Sequence, residues 1–289
     1  MTPLIQLARP TQWVKNGVVL AALIFAGRAT QLYQVEVALF AVIIFCLLSS
    51  AVYTLNDIVD REKDRRHPLK KSRPIASGRV RVATAATMLV VLLAVGLVGA
   101  WMINLGFFVI ALAYLGLNVA YSFKLKNMVI LDAMSIAVGF VLRAYAGAFA
   151  IGVPASKWLL INTLLLALFL AFGKRRHELL LLEDGATAHR TILNKYSPYL
   201  LDQLIGVVTA SVVVAYMLYT FSPEVQEKLG TRNLFFTIPF VLYGIFRYLY
   251  LVHQEKEGGS PTRILVSDKP ILVDVILWLT TVIVVLYIL

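Results

Sequence analysis

The chain has 289 residues, of which 60% are hydrophobic and only 15% charged, with a net charge of +11. A mean hydropathy of +0.80 excludes an ordinary soluble domain, and several apolar runs approach the ~20 residues that span a bilayer's hydrocarbon core. Cys46, the single cysteine, lies inside one such run, so no internal disulfide is formed.

Apolar segments fall at 12–28, 34–56, 83–102, 104–121, 130–151, 156–173, 200–221, 232–252 and 270–289. The first has a core, Gly17 to Ala26, resembling that of a signal peptide, but Gln12, Trp13 and Asn16 precede it and many spans follow. It reads as a retained first helix, broken or polar at its start. Asn104–Gly106, Gly152–Pro154, Ser222–Pro223, Gly258–Pro261 and Pro270 mark breaks between later spans. The pattern predicts an all-α polytopic membrane protein with nine transmembrane helices, forming one integral-membrane domain over residues 1–289. A β-barrel would show shorter, alternating segments.

Lys and Arg divide unevenly between the two sides of these spans. Twenty-one fall at the N-terminus and in the loops after spans two, four, six and eight, four fall on the opposite side, and Arg143 and Arg247 lie within spans. The positive-inside rule places the N-terminus in the cytoplasm and the C-terminus outside a cell (inner) membrane. Topology thus accounts for much of the +11, and no nucleic acid is expected as a partner.

Topology does not account for the carboxylates on that same face. If span two continues as a helix past Leu55, Asn56, Asp57, Asp60 and Asp64 share one face. Such a hard, oxygen-rich set suits Mg²⁺, which takes one or two carboxylates, water and substrate phosphates. The adjoining His67, Lys70, Lys71 and Arg73 would clamp phosphate oxygens. The competing expectation is a solvated helix extension whose acids pair with Arg61, Lys63, Arg65 and Arg66. Pro68 and Pro74 favour an ordered turn instead.

Further along, Tyr114, Asn118 and Tyr121 form one stripe on span four. Arg143, a charge inside span five, is expected to face a cavity, the alternative being a structural pair with Asp132. Gly96, Gly99 and the small residues of 144–150 predict close helix packing.

The run Asn56-Asp57-x-x-Asp60-x-x-x-Asp64 at the end of span two resembles the first aspartate-rich motif of the UbiA superfamily of intramembrane prenyltransferases. The resemblance covers essentially the whole chain. It implies nine helices around a central cavity open to the cytoplasmic face. Aromatic prenyltransferases of that superfamily carry a second Asp-x-x-x-Asp motif after the sixth helix. Here the loop opens Lys174-Arg175-Arg176-His177-Glu178, and Glu183 and Asp184 are adjacent.

Other stretches are similar to the decaprenyl-phosphate phosphoribosyltransferase branch. They are Arg9-Pro10-x-Gln12-Trp13-x-Lys15-Asn16, His67-Pro68-x-Lys70-x-x-Arg73-Pro74, Tyr121-Ser122-x-x-Leu125-Lys126, Gly139-Phe140-x-Leu142-Arg143 and Lys174-Arg175-x-x-Glu178. That resemblance implies transfer of 5-phosphoribose from phosphoribosyl pyrophosphate (PRPP) to a polyprenyl phosphate. The partners are then PRPP, polyprenyl phosphate and membrane lipids, with association between copies of the chain left open. Asp57, Asp60 and Asp64 are the expected catalytic set, with Mg²⁺ held by Asn56, Asp60 and Asp64. Lys15, Asn16, His67, Lys70, Arg73 and Asn118 are expected substrate contacts, as are Tyr121, Lys126, Arg143, Lys174, Arg175 and Glu178. Two rivals stand beside this reading: prenyl transfer to an aromatic or other lipophilic acceptor, and a lipid or ion-coupled transporter.

Overall fold

The computed structural model describes residues 2–66, 70–183, 192–255, 259 and 261–288. Among them there are only helices and connections, as backbone in hydrocarbon requires. Eight helices are long and apolar enough to cross a membrane. They are α3 (Leu32–Val59), α5 (Val82–Ile103), α6 (Leu105–Phe123), α7 (Leu131–Ala150), α8 (Lys157–Glu183), α9 (Pro198–Phe221), α11 (Ile238–His253, with the 3₁₀ turn Asn233–Thr237 before it) and α13 (Lys269–Tyr287). Short helices α1 (Pro3–Ala8), α2 (Ala21–Phe25), α4 (Arg61–Arg66), α10 (Pro223–Leu229) and α12 (Pro261–Ser267) connect or flank them.

The first expected span is built differently. A 3₁₀ segment, Pro10–Leu20, runs into α2 instead of forming one regular α-helix. At about 2.0 Å per 3₁₀ residue and 1.5 Å per α-helical residue, the two pieces extend roughly 30 Å. The regular count is therefore eight among the described residues, not nine. Asn16 and Val19 of the 3₁₀ segment, three residues apart, are both buried, as is Ala22 at the start of α2. Gly147 of α7 permits the approach, since a Cβ there would stand 2.0 Å from the Val19 carbonyl oxygen.

Successive spans pack side by side, and the last returns to the first. The Tyr287 hydroxyl donates to the Ile24 carbonyl at 2.8 Å, and the Phe25 and Trp278 rings lie 6.1 Å apart. Gly96 and Gly99 of α5 seat Leu48 and Ile44 of α3, the close packing that their spacing predicts. Side-chain caps begin four spans: Asn104 accepts from Phe107 N–H, Ser156 from Leu159 N–H, Ser197 from Leu200 N–H and Asp268 from Ile271 N–H. The two largest of several apolar clusters lie around Phe45, Phe107 and Tyr114 in the N-terminal half and around Phe169, Leu201 and Tyr248.

Candidate active site

The acidic stretch begins in the last turn of α3 and continues into α4, with a slight break at Asp60. Helical hydrogen bonding persists across it: Asp60 N–H donates to the Asn56 carbonyl (2.9 Å) and Asp64 N–H to the Asp60 carbonyl (2.8 Å). The expected single face divides into two adjoining directions. Asn56 and Asp60, four residues apart, look toward the end of α6. Asp57 and Asp64, seven apart, look toward Arg9 and Arg73.

On the first side, Lys126 Nζ contacts both Asp60 oxygens at 2.7 and 2.9 Å. Ser122 donates to the Asn56 side-chain carbonyl. On the second side, Arg73 Nη1 bridges Asp57 (3.1 Å) and Asp64 (2.6 Å), both of which are buried. The bridge depends on the turn that carries it. Ile75 and Val80 pack with Leu7 and Ala85, and Arg65 Nε donates to the Ala76 carbonyl at 3.2 Å. Lys70 opens this turn as the first residue of a short 3₁₀ helix, whereas His67 lies outside the described residues.

Arg9 adds a second guanidinium to Asp57 and sits 5.1 Å above the Tyr53 ring. Its backbone is left-handed (φ 52°), a conformation costly for a side chain larger than glycine and often found at functional sites. Sequence reasoning placed Arg9 in a motif but not in the site. The pattern held no signal that α1 would turn it back onto Asp57.

The charge inside α7 is also pinned. Arg143 donates to the Asn16 side-chain carbonyl (2.9 Å), the Tyr114 hydroxyl (2.7 Å) and the Gly139 carbonyl (3.1 Å). Its guanidinium carbon lies 4.7 Å from the Tyr114 ring centroid. The Asp132 alternative is not realised. Asn118 turns its amide back to the Tyr114 carbonyl of its own helix. Lys15, half-buried beside Asn16, has Lys174, Arg143 and Arg9 as its charged neighbours, all of them cations.

Asp132 instead holds Arg175. Arg175 Nε donates to Asp132 at 2.6 Å, Nη1 to Glu178 at 2.7 Å, and Nη2 reaches the Tyr121 hydroxyl at 3.5 Å. Asp132 and Arg175 are 0% and 1% exposed, so this pair is a buried strut between α7 and α8. Tyr196 completes it, donating to Asp132 and accepting from Ile130 N–H, each at 2.7 Å. Burial and the Asp132 hydrogen bond push the Tyr196 phenol up, keeping it a donor. Lys174 extends toward Glu178 at 3.8 Å.

Asn56, Asp60 and Asp64 supply the oxygen donor types that a hard divalent cation takes, though Asp60 faces Lys126 and Asp64 faces Arg73. Lys126 and Arg73 already seat positive charge on Asp60 and Asp64, and Asn56 adds an amide oxygen. Among the described residues no three His, Cys, Asp or Glu side chains converge as a complete ligand set. Water and substrate oxygens would supply the remainder, as Mg²⁺ prefers.

A model of the UbiA prenyltransferase family matches residues 17–267. The chain is 35% identical to a decaprenyl-phosphate phosphoribosyltransferase of Corynebacterium glutamicum, covering 99% of this chain and 87% of that one. It is 34% identical to the enzyme of that name from Mycobacterium tuberculosis, covering 96% and 92%. A UbiA homolog from Archaeoglobus fulgidus, solved bound to GPP and Mg²⁺, superposes with a TM-score of 0.72 over 99% of this chain at 19% identity, a likeness of fold.

Proposed function

The chain is a membrane transferase that belongs to the UbiA prenyltransferase family, and we propose that it transfers 5-phosphoribose from PRPP to a decaprenyl-type polyprenyl phosphate. The products are polyprenyl-phosphoryl-5-phosphoribose, an intermediate for lipid-linked pentose in cell-envelope synthesis, and pyrophosphate, the leaving group. The observation that carries this reading is the near-full-length likeness to relatives named for that transfer.

The site geometry supports it. Three anionic groups must converge: the pyrophosphate and 5-phosphate of PRPP and the phosphate of the lipid. They repel one another unless cations lie between them. Lys15 has Lys174, Arg143 and Arg9 as charged neighbours, and Arg9, Arg73 and Lys126 lie on the aspartates. Asn56, Asp60 and Asp64 would hold Mg²⁺, which when bound neutralises the departing pyrophosphate.

The remaining work falls to the chain's own groups. Arg73 and Arg9, already aligned by Asp57, bind pyrophosphate oxygens as they move off the carboxylate. Lys126 takes the 5-phosphate, while Lys15 anchors the lipid phosphate at the membrane boundary. A lipid phosphate oxygen forms the new bond to the anomeric carbon as the bond to pyrophosphate breaks, through an oxocarbenium-like state. The attacking phosphate is already ionised near neutral pH, so no general base is required. Positioning supplies most of the acceleration. Asp132, Arg175, Glu178 and Tyr196 fix the α7 and α8 ends against which Lys126 and Lys174 are set. The uneven Lys and Arg distribution supports a cytoplasmic site, with the N-terminus on the same side.

Purified protein with labelled PRPP, polyprenyl phosphate and Mg²⁺ should move label into the organic phase. Product arising instead from a prenyl diphosphate and an aromatic acid would overturn the reading.

A further inference from the structure

A second constellation lies apart from the acidic end of α3. A cavity of about 390 Å³ sits between α2, α8, α9, α11 and α13, and none of Asp57, Asp60, Asp64, Arg73 or Lys126 lines it. Its wall is aromatic. The Phe25 ring lies 6.2 Å from Tyr219 and 6.1 Å from Trp278, with Tyr216 5.9 Å from Tyr219.

Asp274 of α13 stands in this wall, 8% exposed, with no hydrogen bond or ion pair to any described residue. Its Oδ2 occupies space that Gly244 leaves open, since a Cβ there would come within 2.9 Å of it. Three other lining residues carry unpartnered buried polar atoms: the Tyr219 and Tyr248 hydroxyls and the Asn162 side-chain oxygen. The Asn162 amide nitrogen is spent on the Trp158 carbonyl, so the oxygen alone remains to accept. Lys228 also lines the cavity, but from its exposed position on α10, and it makes no ion pair with Asp274.

These groups specify a ligand by their chemistry. A carboxylate within a membrane-spanning helix is costly without a counter-charge. The unpartnered oxygens call for a donor, and aromatic faces attract organic cations, more strongly where water is excluded. An uncharged hydrocarbon chain would fill the volume and leave Asp274 unmatched. We infer that this cavity binds a lipid-soluble ammonium ion, an amphiphilic amine whose cationic head lies among the rings with Asp274 as its counter-ion.

The probe is octyltrimethylammonium, compared with octanol, added to the whole protein in an uncharged maltoside detergent. Binding is read from Trp158 and Trp278 fluorescence and from thermal midpoint. The ammonium probe should bind more tightly than the alcohol by about tenfold or more. Asp274→Asn should remove that preference and leave the alcohol unchanged. If Asp274→Asn does not fold, Gly244→Ala serves, because its methyl displaces the carboxylate and should weaken the amine likewise. Equal binding of the two probes, no binding of the amine, or an unaltered preference in the variant that folds overturns the inference. Displacement of the amine by polyprenyl phosphate also overturns it, assigning the cavity to the substrate's chain.

Discussion

Lys126 Nζ lies 2.7 and 2.9 Å from the two carboxylate oxygens of Asp60, a pairing that spans 66 residues of sequence. It joins the end of α6 to the end of α3 at the point where the acidic run changes direction. A monovalent side-chain cation here sits on the carboxylate that is also assigned to the metal, so the two compete. Lys126→Met should therefore tighten Mn²⁺ binding by the free protein, read by electron paramagnetic resonance, while lowering turnover. Weaker Mn²⁺ binding in the variant would show that Lys126 organises the site instead of competing for it.

Asp60→Asn and Asp64→Asn each remove a hard anionic ligand while preserving shape. Each should reduce labelled-lipid formation by on the order of 10³-fold. The thermal midpoint and the elution volume in detergent should stay close to those of the parent protein. Near-normal turnover in both variants would remove the metal-site assignment.

Asp132→Ala leaves the Arg175 guanidinium buried with one partner fewer. Breaking such a pair costs about 3–5 kcal/mol, and a large drop in thermal midpoint is expected. Tyr196→Phe keeps the pair and loses only the hydroxyl's bonds, so its cost should be nearer 1–3 kcal/mol. A similar loss in both variants would place the energy of this cluster in packing instead of charge.

Gly147→Ala puts a methyl group 2.0 Å from the Val19 carbonyl oxygen, which is backbone and cannot rotate away. The variant should fail to accumulate, or melt far below the parent. Gly116→Ala is the control, since nothing lies within 4 Å of a Cβ there. Equal tolerance of both substitutions would mean that the first span packs less tightly on α7.

Arg247 donates to Asp268 at 2.9 Å and holds that carboxyl below its ordinary value, helped by the Ile271 N–H. A depressed acid contributes stability that is present above its unfolded pKa and lost as pH falls through the folded one. Thermal midpoint should therefore fall on acidification below about pH 4, and less so in Asp268→Asn. An identical pH dependence in the two proteins would exclude this pair as a source.

The long apolar runs and the acidic face were legible because each depends on a local pattern. Spacing alone puts Asn56, Asp57, Asp60 and Asp64 on one face; that they divide between α6 and the two arginines depends on their partners. What the pattern leaves open is which partner a charge finds. Lys174, Arg175 and Arg176 read alike in sequence, yet Arg175 is buried on Asp132, 43 residues earlier, while Arg176 pairs with Asp202. Arg143 was expected to face a cavity, with a pair to Asp132 as the alternative; it is held instead by Asn16 of the first span, Tyr114 of α6 and the Gly139 carbonyl of its own helix. The 3₁₀ form of Pro10–Leu20 was legible only as a polar break, because its cause is the backbone of α7.

The closure of the bundle by Tyr287 on Ile24 has a consequence for biogenesis. The two residues are 263 apart, and chains elongate at about 5–20 residues per second. The first span therefore waits roughly 13–50 s at the insertion machinery before its last neighbour emerges. Meanwhile α3, α5, α6 and α7 can pack as they arrive, assembling the acidic end early. The aromatic cavity, walled by α13, forms last and stays open to lipid until then. Lipids of the insertion site are thus the first molecules able to enter it.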